Sequence, residues 1–378
     1  VMSLSNKTIL PGQTIGIIGG GQLGRMMALS ARAMGYRIAV LDPTEDSPCG
    51  QVADYKIIGS YDDLEAISQL AAVSDVITYE FENIDAAALE WLCSQANVPQ
   101  GKSLLETAQD RVKEKAAIVN AGVQVAPYAV INSSDDLYSE SERIGFPAVL
   151  KTARGGYDGK GQVVVRNKQD IEKALVLLES GQCILEKWVS FTKEISVIVT
   201  RNTNGETAVF PVAENIHRDN ILHQTIAPAR ISKQAEERAI QSAIQLANAF
   251  ELVGTLAVEM FLTENDTIYI NELAPRPHNT GHYTIEACET SQFEQHVRAV
   301  CNLPLGSTKL LKSAVMVNIL GEHVQNVLEN ITEVTDWKIH LYGKKEPKVK
   351  RKMGHVTILS DSVEDAIAEI KKSLIWEE

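Results

Sequence analysis

A chain of 378 residues with 44% hydrophobic and 22% charged residues can bury more than one core, and its composition excludes disordered and fibrous classes. A net charge of -13 argues against broad attraction to nucleic acid or anionic lipid, since most of the surface would repel either. A small anionic substrate needs only a local group of basic residues.

Residues 1–10 lack the basic start and apolar run of a leader, and no later segment reaches the roughly 18 apolar residues of a membrane span. The cytoplasm is the expected compartment. Residues 14–18 form a short apolar β-prone run. Gly19-Gly20-Gly21 follows, and Leu23, Met26, Met27, Leu29 and Met34 then recur at helical spacing. Residues 36–41 and 75–79 read as further strands, so residues 1–108 are expected to form βαβ units on a parallel sheet. A charged helix is expected over 110–120, then a strand ending in Lys151, then a glycine-rich loop. Strands and helices alternate to about residue 300, including a hairpin whose strands, 255–261 and 267–271, flank Glu264-Asn265-Asp266. From Leu303 onward strands mix with a basic loop and end in an amphipathic stretch over 363–374, which reads as a small third domain. Five scattered cysteines, Cys49, Cys93, Cys183, Cys288 and Cys301, have no zinc-like spacing and read as reduced thiols.

Gly19-x-Gly21-x-x-Gly24 follows a strand and opens a helix, and Asp42 stands where a ribose-binding acid would. Alone, this segment reads as a nicotinamide or flavin site. Glycine amides at a helix N-terminus nevertheless take any phosphate or carboxylate, and close helix-to-strand packing is a third reading. The loop Arg154-Gly155-Gly156-Tyr157-Asp158-Gly159-Lys160-Gly161-Gln162 lies directly after Lys151 and lacks the Walker pattern. It can fold its amides over phosphate oxygens while lysines neutralise charge; a flexible hairpin tip is the bland alternative. Glu186-Lys187-Trp188-Val189 and Glu194 suit an adenine amino group and ribose hydroxyls. Glu259 and Asn271-Glu272 are expected at the ends of the two hairpin strands, where two carboxylates and an amide would offer magnesium hard oxygen ligands. A single acid at a strand end is usually just solvated. The order of lysine strand, glycine loop and acidic hairpin makes the set informative.

With these pieces in place the chain resembles the ATP-grasp enzymes, and within them it is similar to the N5-carboxyaminoimidazole ribonucleotide synthetases, biotin-independent carboxylases of purine synthesis. The resemblance covers essentially the whole chain. It rests on Gly19-Gly20-Gly21-Gln22-Leu23-Gly24, Tyr79-Glu80-Phe81-Glu82-Asn83, the stretch 155–162, Asn271-Glu272-Leu273-Ala274-Pro275-Arg276-Pro277-His278-Asn279 and Arg351-Lys352-Met353-Gly354-His355. It implies an α/β fold of three parts: a Rossmann-like parallel-sheet domain (1–108), a central ATP-grasp domain (109–302) and a small β-rich C-terminal domain (303–378). It also implies that Arg111, Lys151, Gly156, Tyr157, Asp158, Gly159, Lys160, Gly161, Gln162, Glu186, Lys187, Trp188, Val189, Glu194, His217, Asn271 and Glu272 contact ATP. Glu259 and Glu272 would hold magnesium, with manganese as the alternative ion. Aminoimidazole ribonucleotide would meet Gln22, Leu23, Glu82, Tyr157, Asp158 and Asn279, with its phosphate on Lys344, Arg351 and Lys352.

The implied reaction joins bicarbonate to the amine of aminoimidazole ribonucleotide through a carboxyphosphate. Lys151 would act at the phosphates, Arg276 on the developing carboxyphosphate and His278 in proton handling. Small molecules are the expected partners, and a homodimer the expected assembly. A lone histidine is more often an ordinary hydrogen-bonded one, but the setting of His278 beside a metal glutamate raises it above that. The basic cluster from Lys344 to Lys352 would usually be a solvated loop; in an acidic chain it is where a phosphate would go. Rival expectations are a formate-using glycinamide ribonucleotide transformylase of the same fold, a biotin carboxylase, a nicotinamide dehydrogenase and a non-catalytic nucleotide-binding regulator.

Overall fold

Short buried apolar runs and amphipathic helices alternate at the start of the chain, and they build an all-parallel sheet. In the computed structural model residues 7–156 and 158–377 are described. β1 (Thr14–Ile18), α1 (Gln22–Ala33), β2 (Arg37–Asp42), β3 (Tyr55–Ile58), α2 (Leu64–Val73), β4 (Val76–Tyr79) and α3 (Ala86–Gln95) follow in order. The strands lie β3-β2-β1-β4 and pair in parallel. Every residue of β1 is buried, as in a parallel strand covered on both faces. β3 carries no strand signal in the sequence because it sits at the sheet edge with only Ile57 buried.

α4 (Ser103–Ala108) and α5 (Arg111–Asn120) lead into the second sheet. The Asp110 carboxylate caps α5 by accepting from the Val112 and Lys113 amides, which fixes where the helix starts. β5 (Tyr128–Ile131), α6 (Ser134–Ile144), β6 (Ala148–Thr152), β7 (Gln162–Val165), α7 (Asp170–Ala174) and β8 (Cys183–Lys187) follow. Their strands form an antiparallel sheet in the order β5-β8-β6-β7.

The third sheet takes β9 (Lys193–Arg201), β10 (Thr207–Val209), β11 (Ala213–Arg218), β12 (Ile221–Ala227), β13 (Gly254–Leu262), β14 (Ile268–Ala274), β15 (Ser313–Leu320), β16 (Lys338–Leu341) and β17 (Lys352–Ser360). Its order is β14-β13-β9-β11-β12-β15-β17-β16, with β10 on β9. The sheet crosses the boundary expected near residue 303. β12 pairs antiparallel with β15 from Gln224 opposite Val317 to Ala227 opposite Ala314, so the C-terminal strands extend the central sheet and do not form one of their own.

α8 (Lys233–Ala249) lays Ala235, Ala239, Ala243, Leu246 and Ala247 on that sheet; small residues one turn apart let helix and strand approach closely. α9 (Thr284–Ala287) and α10 (Gln292–Val300) close the central segment, while α11 (Val324–Asn330) and α12 (Val363–Ser373) cover the C-terminal strands. α10 lies between the first sheet and the central one: its Phe293, Val297 and Val300 pack with Ile15 and Val40 of the first sheet and Met27 of α1, and it also lies against β13 and β9. Burying each such side chain contributes about 1.5–3 kcal/mol, which ties the first sheet to the central one. The five cysteines are free. Among the described residues no helix is long and apolar enough to cross a membrane.

Candidate active site

Strand register creates an acidic pair. Glu259 on β13 stands directly opposite Glu272 on β14, and beyond them the register shifts so that Met260 faces Ile270. Asn271 is therefore the extra residue of a bulge, a device that re-aims side chains beside active sites. Both glutamates lie inside strands, where the sequence placed them at strand ends. Burial and then the facing Glu272 push the Glu259 carboxyl above its usual range. The same two causes raise Glu114 of α5, which accepts from the Leu273 amide at 3.3 Å. Among the described residues no group of three or more His, Cys, Asp or Glu is gathered to hold a metal on protein ligands alone. Two facing, mutually repelling carboxylates fit magnesium, which takes its remaining ligands from phosphates and water.

A chain of contacts joins this hairpin to Lys151. The Lys115 ammonium, on α5, donates to the Asn271 carbonyl at 2.7 Å and lies 3.2 Å from Glu186 Oε1. Lys151 donates to Glu186 Oε2 at 2.7 Å. Burial would raise the Glu186 carboxyl, but Lys115 and Lys151 together bring it down to about 2. A carboxylate only 5% exposed stays ionised because it is paired. Its side chain, expected at an adenine amino group, pairs with two lysines. Lys187 and Trp188 beside it are exposed and Val189 is half-buried.

His217 Nδ1 lies 2.8 Å from Glu194 Oε2. Burial opposes its charge, but Glu194, with help from Glu259, holds the imidazole pKa above the usual value. His278 Nε2 lies 3.4 Å from Glu259 Oε1, and its Nδ1 is 2.9 Å from Thr280 Oγ1. Burial, then Arg276 and Lys352, keep that ring well below the ordinary histidine range, so it is neutral at physiological pH. Arg276 Nε sits 2.8 Å from Glu82 Oε1, and Asn279 exchanges amide hydrogen bonds of 2.9 and 2.8 Å with Asn318.

The glycine loop is written in backbone angles. Gly155, Gly156, Asp158, Gly159 and Gly161 all have positive φ, between 47° and 82°, conformations that glycine adopts without penalty. Arg111 fixes the base of the loop by donating to the Thr152 carbonyl at 3.1 Å and the Gly155 carbonyl at 2.7 Å. Lys160 is exposed, and Gln162 opens β7 opposite Lys151. Tyr157 lies outside the described residues. Asp158 Oδ1 is 3.5 Å from Lys352 Nζ, so the loop tip faces the basic segment. There Lys344 donates to the Lys352 carbonyl at 2.7 Å and Arg351 to the Glu346 carbonyl at 2.9 Å. Burial, then Arg351, lower the Lys344 pKa to about 8.

The first glycine turn is filled from within. Glu80 accepts from the Gly21 amide at 2.6 Å and the Gly24 amide at 2.7 Å. Asp42 accepts from the Gly20 amide at 2.7 Å and from the Tyr61 hydroxyl at 2.8 Å. A dinucleotide phosphate would meet a carboxylate where it needs free amides, and Asp42 is not free for a ribose. The turn, expected to take an anion or the substrate, is as an anion site filled by the chain's own Glu80. Gln22 and Leu23, in the first turn of α1, remain half-buried beside it.

Three family models match consecutive parts of the chain: a ribonucleotide synthetase preATP-grasp domain over residues 12–109, an ATP-grasp domain over 116–293 and a phosphoribosylaminoimidazole carboxylase C-terminal domain over 314–369. The N5-carboxyaminoimidazole ribonucleotide synthase of Bacillus subtilis is 56% identical over 367 residues, 97% of each chain. The chain belongs to the N5-carboxyaminoimidazole ribonucleotide synthase family. Another member, solved as an ADP complex, superposes with a TM-score of 0.96 at 60% identity over 98% of both chains. The Aspergillus clavatus synthase, solved with ADP and 5-aminoimidazole ribonucleotide, gives 0.90 at 33% identity, again over 98% of both.

In this member of the N5-carboxyaminoimidazole ribonucleotide synthase family, four residues of the site escaped sequence reasoning as site residues. Glu114 and Lys115 read as one more charged pair on a helix, and no periodicity marks both as buried. Glu80 lies inside the stretch Tyr79-Glu80-Phe81-Glu82-Asn83, where nothing local gives it a role. Asn318 sits in an apolar strand with nothing local to flag it; it is 1% exposed and shows its purpose only against Asn279.

Proposed function

We propose that this chain carboxylates 5-aminoimidazole ribonucleotide with bicarbonate and ATP, giving N5-carboxyaminoimidazole ribonucleotide, ADP and phosphate. The observation that carries the proposal is the run from the Glu259–Glu272 pair through Lys115 and Glu186 to Lys151, acidic and cationic groups gathered for one triphosphate. Arg111, Lys151, Gly156, Tyr157, Asp158, Gly159, Lys160, Gly161, Gln162, Glu186, Lys187, Trp188, Val189, Glu194, His217 and Asn271 take the nucleotide, with Glu186 acting through the two lysines it aims. Glu259 and Glu272 hold magnesium, which when bound neutralises phosphate charge during transfer. Gln22, Leu23, Glu82, Tyr157, Asp158 and Asn279 receive the ribonucleotide, and Lys344, Arg351 and Lys352 its phosphate. Support comes from the Aspergillus clavatus synthase, solved with ADP and this ribonucleotide.

Bicarbonate is a poor electrophile, so its oxygen first attacks the γ-phosphorus, releasing ADP and forming carboxyphosphate. The ribonucleotide amine then bonds to the carboxyl carbon and phosphate leaves. Lys151 stabilises the phosphoryl oxygens and Arg276, steadied by Glu82, faces the carboxyphosphate. His278 is placed for proton handling at the amine; because burial and nearby cations disfavour its charged form, it passes a proton on and does not hold it. A division at 108, one at 302 that the shared sheet bridges, a homodimer and a cytoplasmic setting complete the proposal.

The test measures ADP release by purified protein. Bicarbonate plus aminoimidazole ribonucleotide should drive it. Release with formate plus glycinamide ribonucleotide instead would favour the transformylase, and unchanged turnover in Glu272→Ala would sink the assignment of the metal site.

A further inference from the structure

Gln292, the first residue of α10, is 0% exposed, and its side-chain amide holds the main chain of His278 at two points. Gln292 Oε1 accepts from the His278 amide at 2.9 Å, and Nε2 donates to the His278 carbonyl at 2.7 Å. The glutamine is itself fixed: its main-chain N–H donates to Thr284 Oγ1 at 2.9 Å, and Nε2 lies 3.2 Å from His282 Nδ1. The fit depends on Gly281, since a Cβ there would come within 2.2 Å of Gln292 Oε1. No strand ladder holds residues 275–281; the single turn at Asn279–Gly281 brings the Gly281 amide to the His278 carbonyl at 2.9 Å, and the Gln292 amide adds a second donor to that carbonyl and takes the His278 N–H, which the turn leaves unpaired. What it fixes is His278, 3.4 Å from Glu259, and the neighbouring Asn279, paired with Asn318. α10 also packs into the first core through Phe293 and Val297, the core that carries α1 with Gln22 and Leu23.

We infer that Gln292 is a positioning residue of the ribonucleotide site, holding His278 beside Glu259 and Asn279 beside Asn318. It acts on ribonucleotide capture and leaves nucleotide binding alone; this rests on the reaction proposed above.

Gln292→Met preserves length and makes neither hydrogen bond, while Gly281→Ala displaces the same amide from the other side. Both should raise the KM for aminoimidazole ribonucleotide roughly tenfold or more, while the Kd for ADP stays within about twofold. A ribonucleotide KM equal to that of wild type in either folded variant overturns the inference. A fall in kcat can accompany the KM change because His278 is displaced, whereas lower stability with kcat and every KM unchanged is the mark of a merely structural role and also overturns the inference. Should both variants fail to fold, amide exchange in the wild-type protein decides: the His278 N–H must exchange slowly without ligand, and fast exchange there refutes the clamp. A wild-type enzyme with no ribonucleotide-dependent ADP release would sink the reaction, and the exchange measurement would still judge the clamp.

Discussion

Replacing Glu186 with glutamine should destabilise the protein strongly, and in a pH-dependent way. The carboxylate is 5% exposed and bridges two ammonium groups, at 3.2 Å from Lys115 and 2.7 Å from Lys151. Its drop from the ordinary 4.5 to about 2 corresponds to about 3 kcal/mol, in line with the roughly 3–5 kcal/mol typical of breaking a buried pair and stranding its partner. For a cooperative unit of 150–250 residues this lowers Tm by roughly 6–12 °C. The folded carboxyl titrates below its unfolded value, so the stabilisation is complete above about pH 4.5 and is lost as pH falls through about 2. Thermal scans of Glu186→Gln and wild type, taken from pH 7 downward, should show a gap that is constant to about pH 4.5 and then closes. A variant that melts with wild type at pH 7, or a gap that persists into strong acid, would refute the assignment of Glu186 as the ionised partner of both lysines.

Glu259→Gln relieves the repulsion with Glu272. Since the wild-type carboxyl titrates above its unfolded value, its ionisation opposes folding increasingly as pH rises past the ordinary 4.5. In chelator the variant should therefore melt above wild type at pH 8 and with it at pH 4. Added magnesium should raise the wild-type Tm and leave the variant unmoved, as expected of a cation that binds only the folded pair. Glu80→Ala strands the Gly21 and Gly24 amides and should lower stability by about 1–3 kcal/mol; sulfate should restore more of the variant's Tm than its general effect on wild type, because an inorganic anion can take the vacated helix N-terminus. Lys344 loses its charge near pH 8, so kcat/KM for the ribonucleotide should fall as pH rises through that value. Lys344→Arg should flatten that profile, since a guanidinium stays charged.

The ordered landmarks were legible in the sequence because each is local. A strand carrying Lys151 near its end, a run of glycines from Gly155 to Gly161, and a hairpin bearing Glu259 and Glu272 can be read from neighbouring residues alone. They fixed the fold class and brought the family into view. Tertiary structure decided what those residues face. Only strand register shows that Glu259 and Glu272 are directly opposed and that Asn271 is a bulge. Only the packing of α5 against β8 and β14 brings Lys115, and the pairing of β6 with β8 brings Lys151, to the Glu186 carboxylate. The glycine turn that imitates a dinucleotide site is closed by Glu80, whose backbone arrives on the adjacent parallel strand β4. The domain limit near 303 blurs because the pairing of β12 with β15 joins strands about ninety residues apart. Sequence specifies local conformation and residue chemistry; burial, register and charge pairing arise between distant segments, where no local pattern records them.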